Sequence, residues 1–292
     1  MKIRKAVIPA AGFGTRFLPA TKSVPKEMLT IVDTPVIQYV VEEAVSSGIT
    51  DILIIISKGK SAIQEHFNRN FELEKALETK NRSPESESLK RISSMANIQF
   101  AIQKEMRGLG DAISLAKEYV ANEPFAVLLG DTLMKSNTNI PVTEQLLNVF
   151  DRYQKSVIAL EEVPLERVSK YGVVEGGFVE DNLVLARNLV EKPAVEEARS
   201  NLVVASRYIL TPEIFDHLAN VKPGKNAEIQ LTDALQALVK TDAIYGLKIN
   251  GTRFDVGNKL GFLKTNIVYA FECDDIRDSM AEFILSIANT LK

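Results

Sequence analysis

Apolar positions in this chain fall into short runs and helical stripes that alternate through its first half. Four runs, Ala6–Ile8, Ile52–Ile56, Ile98–Ile102 and Phe125–Leu129, have the length and side-chain character of buried strands. Between them, Val36–Val45 sets Ile37, Val40, Val41, Ala44 and Val45 on one helical face, and Ala112–Val120 does so with Ile113, Leu115, Ala116 and Val120. Strands separated by such helices predict successive βαβ units and a largely parallel sheet, an α/β class. From Ser156 the pattern changes to shorter strands with turn signals at Glu175-Gly176-Gly177 and Glu180-Asp181-Asn182, which predicts an antiparallel addition. The polar stretch Glu78–Ser94 has little to bury and is expected outside the sheet as a mobile insertion. Asp275–Leu291 carries Ile276, Met280, Phe283, Ile284, Ile287 and Leu291 at helical spacing, which suits packing on the main body or contact with a second subunit. No repeat or Gly/Ser linker divides the chain, so residues 1–292 are expected to form one domain with one continuous core.

Composition narrows the picture. With 292 residues the chain can bury a substantial core, and its net charge of -3 offers no global attraction to nucleic acid or acidic lipid, so any anion site must be local. The single cysteine, Cys273, cannot form an internal disulfide. The basic start before Ala6 precedes too short an apolar run for a signal peptide, and no run is long enough to cross a bilayer; a cytoplasmic protein is expected.

The candidate chemistry begins where the first strand ends. Ala10-Ala11-Gly12-Phe13-Gly14-Thr15-Arg16, followed by Pro25-Lys26-Glu27, makes a glycine-containing backbone collar edged with positive charge, which suits a polyphosphate. Two familiar phosphate loops do not fit. Gly12-Phe13-Gly14-Thr15-Arg16-Phe17 lacks the third glycine of the dinucleotide fingerprint, and Gly59-Lys60-Ser61 has Ile54 where a P-loop needs its first glycine.

Further motifs follow in order: Pro35-Val36-Ile37-Gln38-Tyr39-Val40-Val41-Glu42-Glu43-Ala44, Gly108-Leu109-Gly110, Leu128-Leu129-Gly130-Asp131, Val190-Glu191-Lys192-Pro193 and Glu228-Ile229-Gln230-Leu231-Thr232-Asp233. Together with the collar they span about residues 4 to 270, and the chain resembles the sugar-nucleotide pyrophosphorylases. The string Gly14-Thr15-Arg16-Phe17-Leu18-Pro19-Ala20-Thr21-Lys22 resembles the bacterial branch that acts on UTP and glucose 1-phosphate. The resemblance implies a Rossmann-like, mostly parallel mixed sheet flanked by helices with a small antiparallel addition, the nucleotide-diphospho-sugar transferase type. Residues 1–155 would mainly bind nucleotide, 156–272 mainly the sugar phosphate, and 275–291 would form a C-terminal helix. The implied reaction is Mg²⁺-assisted transfer of UMP from UTP to α-D-glucose 1-phosphate by direct in-line attack of the sugar phosphate on the α-phosphorus, without a covalent enzyme intermediate, giving UDP-glucose and pyrophosphate. The expected partners are these small molecules and further copies of the chain in a homo-oligomer, without nucleic acid or membrane.

By the same resemblance, Ala11 and Gly12 meet the base through backbone groups, Gly14 belongs to the collar, and Glu27 lines the pocket. Gln103 reads uracil, while Gly108 and Gly110 let the chain pass close to base and ribose. Asp111 departs from the histidine of many relatives. Gly172, Glu191 and Lys192 would take the sugar phosphate, and Asp255 resembles a second acidic metal position. Taken from the residues alone, Gln103 is equally a solvated strand end, Glu191-Lys192 a surface ion pair, Asp255 a turn aspartate, and Glu228–Asp233 a helix cap.

Charge explains why the candidates are cations around one acid. Two unit charges 4 Å apart repel by about 1 kcal/mol in water and about 4 kcal/mol at an effective dielectric near 20, and the reaction must bring a sugar phosphate to a triphosphate. Arg16, Lys26 and Lys192 are the cations expected to offset this, and Asp131, beyond the end of a buried strand, is the expected Mg²⁺ ligand. These four are expected to share one cavity. His66 and His217 stand apart without a nucleophile motif, which suits an acceptor phosphate that is already ionised. A relative using dTTP, CTP or another sugar phosphate, and a non-catalytic nucleotide-sugar binder, are the alternative readings.

Overall fold

The computed structural model describes residues 2–224 and 227–290; Leu291, the last apolar residue of the terminal stripe, lies outside them. The strands are β1 (Lys5–Pro9), β2 (Thr30–Ile31), β3 (Thr34–Pro35), β4 (Asp51–Ile56), β5 (Asn97–Ile102), β6 (Phe125–Leu128), β7 (Thr132–Ser136), β8 (Ser156–Glu162), β9 (Gly172–Glu180), β10 (Leu183–Glu191), β11 (Leu202–Leu210), β12 (Ile244–Lys248) and β13 (Gly251–Asp255). Nine of them form one sheet in the order β5-β4-β1-β6-β11-β8-β12-β10-β9, and β13 pairs with β7 separately. β1 runs parallel to β4 and β6, whereas β11 enters antiparallel between β6 and β8. The mixed sheet of the expected α/β class is therefore present, with its parallel part in the first half.

Alternation within the strands builds two apolar layers. Ala6, Ile8, Ile52 and Ile54 pack on one face with α1 (Val36–Ser46), α2 (Ser61–Phe67) and, later in the chain, the helix Val142–Tyr153. Val7, Leu53 and Ile55 face the opposite layer, with Ala112, Ile113, Val120, Phe215 and Leu235. A third, smaller cluster of Val163, Val168, Val173 and Val203 lies under the antiparallel strands, so the core is divided by the sheet and not continuous as expected.

Four local expectations change. Glu78–Ser94 is not an irregular insertion: α3 (Phe71–Thr79) and α4 (Ser83–Ser94) form a helical hairpin, with the Asn70 side chain accepting from Leu73 N and Lys90 bridging Glu78 and Glu87. Local capping and charge pairs supply what the sparse apolar residues do not. The stripe Ala112–Val120 is divided into α5 (Leu109–Ser114) and α6 (Lys117–Val120). Glu175-Gly176-Gly177 is no turn; it lies inside β9 beside a register shift, where a Cβ on Gly176 would stand 2.2 Å from Leu185 O. The strands of the second half are also longer than expected, with nine residues in each of β9, β10 and β11.

The remaining helices are α7 (Val142–Tyr153), α8 (Ile214–Leu218), α9 (Leu231–Leu238), α10 (Lys259–Ala270) and α11 (Arg277–Thr290). No residue of α11 is buried, and Phe283, Leu285 and Ile287 are exposed along it. No described helix is long and apolar enough to cross a membrane.

Candidate active site

Strand order creates the site. The chain leaves β1 toward β4 on one side and returns to β6 on the other, so the segments after β1 and β6 diverge beyond their carboxyl ends. Pro9–Arg16 and Leu129–Asp131 border the resulting cavity of about 510 Å³, together with Lys26, Glu27, Gln103, Gly108, Leu109, Glu228 and Gln230. Ala11, Gly12, Gly14, Arg16, Lys26, Glu27, Gln103, Gly108 and Asp131, all singled out in the sequence, thus meet in one place.

The collar is held by tight packing. Gly14 has φ +66°, and a Cβ there would lie 3.1 Å from Lys26 Cβ, so both the backbone angle and the space favour glycine. Thr21 Oγ1 donates to Gly14 O at 2.8 Å. Beneath the collar lies a residue the sequence reading missed. Buried Lys60 spends its three ammonium protons on Ala10 O at 2.6 Å, Gly12 O at 2.7 Å and Glu27 Oε2 at 2.8 Å. The Gly59-Lys60-Ser61 run is therefore no P-loop, yet its lysine ties the collar to the start of α2. Burial pushes Glu27 up and Lys60 down, and their mutual attraction opposes both shifts.

Charges converge at the mouth of β6. Lys26 Nζ lies 2.5 Å from Asp131 Oδ2, and Arg16 Nη1 donates to Gly257 O at 3.4 Å. Burial pushes Asp131 up, but the Lys26 ammonium, with a smaller contribution from Arg16, holds its carboxyl below the usual value. Burial pulls Lys26 down, and Asp131 with Glu27 leaves it above the usual value. Behind this turn, fully buried Arg207 donates to Thr132 O at 2.8 Å and to Glu43 Oε2 at 2.6 Å, fixing the backbone next to Asp131.

Asp255, at the end of β13, accepts from Gly257 N at 3.0 Å, so it is a turn aspartate. It also faces the acid. A Cβ on Gly257 would sit 3.1 Å from an oxygen of each of Asp131 and Asp255. No group of three or more His, Cys, Asp or Glu residues gathers as a metal cage among the described residues. Two carboxylates beside a cavity edged with cations nevertheless match the donor set of a hard cation that keeps water and phosphate oxygens in its shell.

Gly172, Glu191 and Lys192 gather beside the cavity, not in its lining. Gly172 pairs with Glu191 across β9 and β10, and Thr232 Oγ1 donates to Glu191 Oε2 at 2.7 Å. A Cβ on Gly172 would lie 3.2 Å from both Glu191 Oε2 and Thr232 Oγ1. Lys192, 57% exposed with φ +46°, reaches Glu191 Oε1 at 3.0 Å. The cluster joins the cavity through the segment Glu228–Thr232, whose Glu228 and Gln230 line it. Thus Arg16, Lys26 and Asp131 share the cavity and Lys192 stands on an adjoining ledge. Thr232 was read as part of a helix cap; the packing of α9 (Leu231–Leu238) against β10 brings its hydroxyl to Glu191.

Gln103 follows β5 directly and is buried. Its Nε2 donates to Asp111 Oδ2 at 2.8 Å and to Gly108 O at 3.3 Å. Gly108 has φ +100°, and a Cβ on it would approach Ile229 O to 2.7 Å, so the Gly-Leu-Gly loop packs directly on the Glu-Ile-Gln segment. His66 pairs with Gln38 and His217 with Thr241, and neither lines the cavity.

The nucleotidyl transferase family profile matches residues 5–270. The UTP–glucose-1-phosphate uridylyltransferase 1 of Staphylococcus saprophyticus is 47% identical over 287 residues, covering 98% of this chain and 99% of that protein. A uridylyltransferase of the same description from Staphylococcus epidermidis is 47% identical over 283 residues, 97% of this chain and 98% of its own. Among solved structures, a UDP-glucose pyrophosphorylase complexed with UDP-glucose has a TM-score of 0.86 at 42% identity, covering 93% of this chain and 100% of its own. A UTP-bound UGPase from Acinetobacter baumannii has a TM-score of 0.89 at 39% identity, covering 97% and 99%.

Proposed function

Because the chain belongs to the nucleotidyl transferase family, we propose that it transfers UMP from UTP to α-D-glucose 1-phosphate, releasing pyrophosphate and UDP-glucose. The observation that carries this reading is the meeting of Arg16, Lys26 and Asp131 in one cavity at the point where strand order reverses. Phosphoryl-type transfers need positioning and charge stabilisation more than a protein nucleophile. Arg16 offers a planar fork and Lys26 a point charge to the departing pyrophosphate. Ala11 and Gly12 present backbone groups to the base, Glu27 anchors the collar from below, and Gln103 reads the uracil edge.

The acceptor is assigned to the Gly172–Glu191–Lys192 ledge. Glu191, already hydrogen-bonded to Thr232, can accept from sugar hydroxyls, and the exposed Lys192 can swing from Glu191 to the sugar phosphate. Asp131 and Asp255 are the residues that would hold Mg²⁺. Such an ion would neutralise phosphate charge and orient the α-phosphate. Lys26 stands on Asp131 Oδ2 in the structure, so the lysine would turn to phosphate when that oxygen takes the ion. The exposed apolar residues of α11 support assembly into a homo-oligomer.

The test is pyrophosphate release by purified protein. Turnover is expected only with UTP, glucose 1-phosphate and Mg²⁺ together, with UDP-glucose formed in equal amount. Tight UDP-glucose binding without turnover would replace the enzyme with a nucleotide-sugar binding protein, and pyrophosphate release without the sugar phosphate would remove the acceptor assignment.

A further inference from the structure

The geometry around Asp111 gives this residue a task beside Gln103. A glutamine amide can present either its oxygen or its NH₂ to a ligand, and the two ends are nearly the same size. Around Gln103 the choice is forced. An ionised carboxylate only accepts hydrogen bonds, so Asp111 Oδ2, 2.8 Å away, must face the NH₂ end. Gly108 O, also an acceptor only, takes the second amide proton at 3.3 Å. Arg107 Nη2 donates to Asp111 Oδ1 at 2.8 Å, which holds the carboxylate in place from the other side. Both side-chain hydrogen bonds of Gln103 thus leave from Nε2 and not from Oε1, and the side chain lines the cavity.

We propose that Asp111 is a specificity-determining positioning residue: it locks the Gln103 amide so that only its carbonyl oxygen faces the base, selecting bases that carry a ring N–H. This rests on the reading of Gln103 as the residue that meets the base. Uracil and thymine offer N3–H, a donor that the fixed oxygen accepts. Cytosine has a lone pair at N3, which would stand against the Oε1 lone pairs. A site that satisfies its own polar groups with one base and leaves them unpaired with another discriminates strongly. The lock makes no distinction between uracil and thymine, which differ by a methyl group.

The experiment measures kcat/KM for UTP, dTTP and CTP with saturating glucose 1-phosphate, in the wild-type enzyme and in Asp111→Asn, Asp111→Ala and Gln103→Ala. The asparagine can donate as well as accept, so it permits either amide orientation while preserving size. In Asp111→Asn and Asp111→Ala the preference for UTP over CTP should fall by about tenfold or more, which is a loss of at least about 1.4 kcal/mol of discrimination. The preference for UTP over dTTP should stay within about twofold. A general loosening of the site would lower all three activities together, so this selective change is the signature of the lock. Gln103→Ala separates the lock from the reading beneath it. If Gln103→Ala erases the preference for UTP over CTP while both Asp111 variants keep it, the lock is wrong and Gln103 still reads the base. If Gln103→Ala keeps the wild-type preference, the assignment of Gln103 fails and the lock fails with it.

Discussion

At Asp131 two opposing effects meet, and the outcome sets the behaviour of the site. Burial favours the neutral carboxylic acid, while the adjacent Lys26 ammonium favours the carboxylate and prevails. The contribution of Asp131 to stability is complete above the unfolded carboxyl value of about 3.9 and is lost as pH falls through the lower folded value. For Lys26 the sign reverses: its contribution is complete below about 10.4 and is lost as pH rises through the higher folded value. Lys26→Met removes the main effect opposing burial, so the variant's deficit in thermal stability against wild type should be largest near neutral pH and shrink as pH falls through the carboxyl range; a deficit independent of pH would contradict the pairing. Removing the acid itself, in Asp131→Ala, should lower the Mg²⁺-dependent rate by about 10² to 10³, judged by comparison with the loss of other preorganised charge stabilisers. Loss of less than about tenfold in a titration against Mg²⁺ would place the metal elsewhere.

The proposed acceptor ledge predicts a different division of labour. Lys192 is outside the cavity lining and exposed, so Lys192→Ala should raise the KM for glucose 1-phosphate by tenfold or so and leave the KM for UTP nearly unchanged. Equal effects on both substrates, measured in steady-state kinetics, would show that the ledge does not act separately.

Between elements, the collar after β1 depends on α2. Lys60 grips two collar carbonyls and the Glu27 carboxylate, so Lys60→Met leaves a buried acid without its partner and two carbonyls without a donor. Breaking a buried pair on one side costs about 3–5 kcal/mol. Glu27 is already pushed up by burial and can take a proton, which should bring the loss toward the lower end of that range. Urea unfolding should register this destabilisation, and the double variant with Glu27→Gln should recover part of it; a neutral Lys60→Met would mean that the collar needs no such tether.

This same element shows where sequence reasoning reached and where it stopped. The four parallel strands and α1 were legible because period-2 and period-3.6 patterns reflect which faces are buried. Local motifs likewise marked Arg16, Lys26 and Asp131. Lys60 was hidden because a lysine 50 residues beyond Ala10 becomes a collar tether only through the β1–β4 pairing. The union of Thr232 with Glu191 is hidden for the same reason: it needs β10 and α9 side by side. The helices α3 and α4 were missed because ion pairs and caps, not an apolar stripe, distinguish them.

Across the whole molecule, the sheet joins the two functional halves. β11 connects β6, which delivers Asp131, to β8 and the antiparallel strands that carry the acceptor ledge. In the proposed reading, sugar phosphate and nucleotide meet on one rigid support, as positional catalysis requires. α11 has no buried residue and adds little to that support. A chain ending after Asp275 should therefore unfold within about 1 kcal/mol of the full chain's stability and sediment as a smaller species. Unchanged assembly with a large loss of stability would assign α11 to intramolecular packing.

The central claim is that this support lets the sugar phosphate attack the α-phosphorus directly, opposite the departing pyrophosphate, with no covalent enzyme intermediate. The most direct measurement is the configuration at phosphorus when a single diastereomer of UTPαS reacts with glucose 1-phosphate. One in-line displacement predicts inversion in the UDP-glucose analogue; net retention would reveal two displacements and contradict the account.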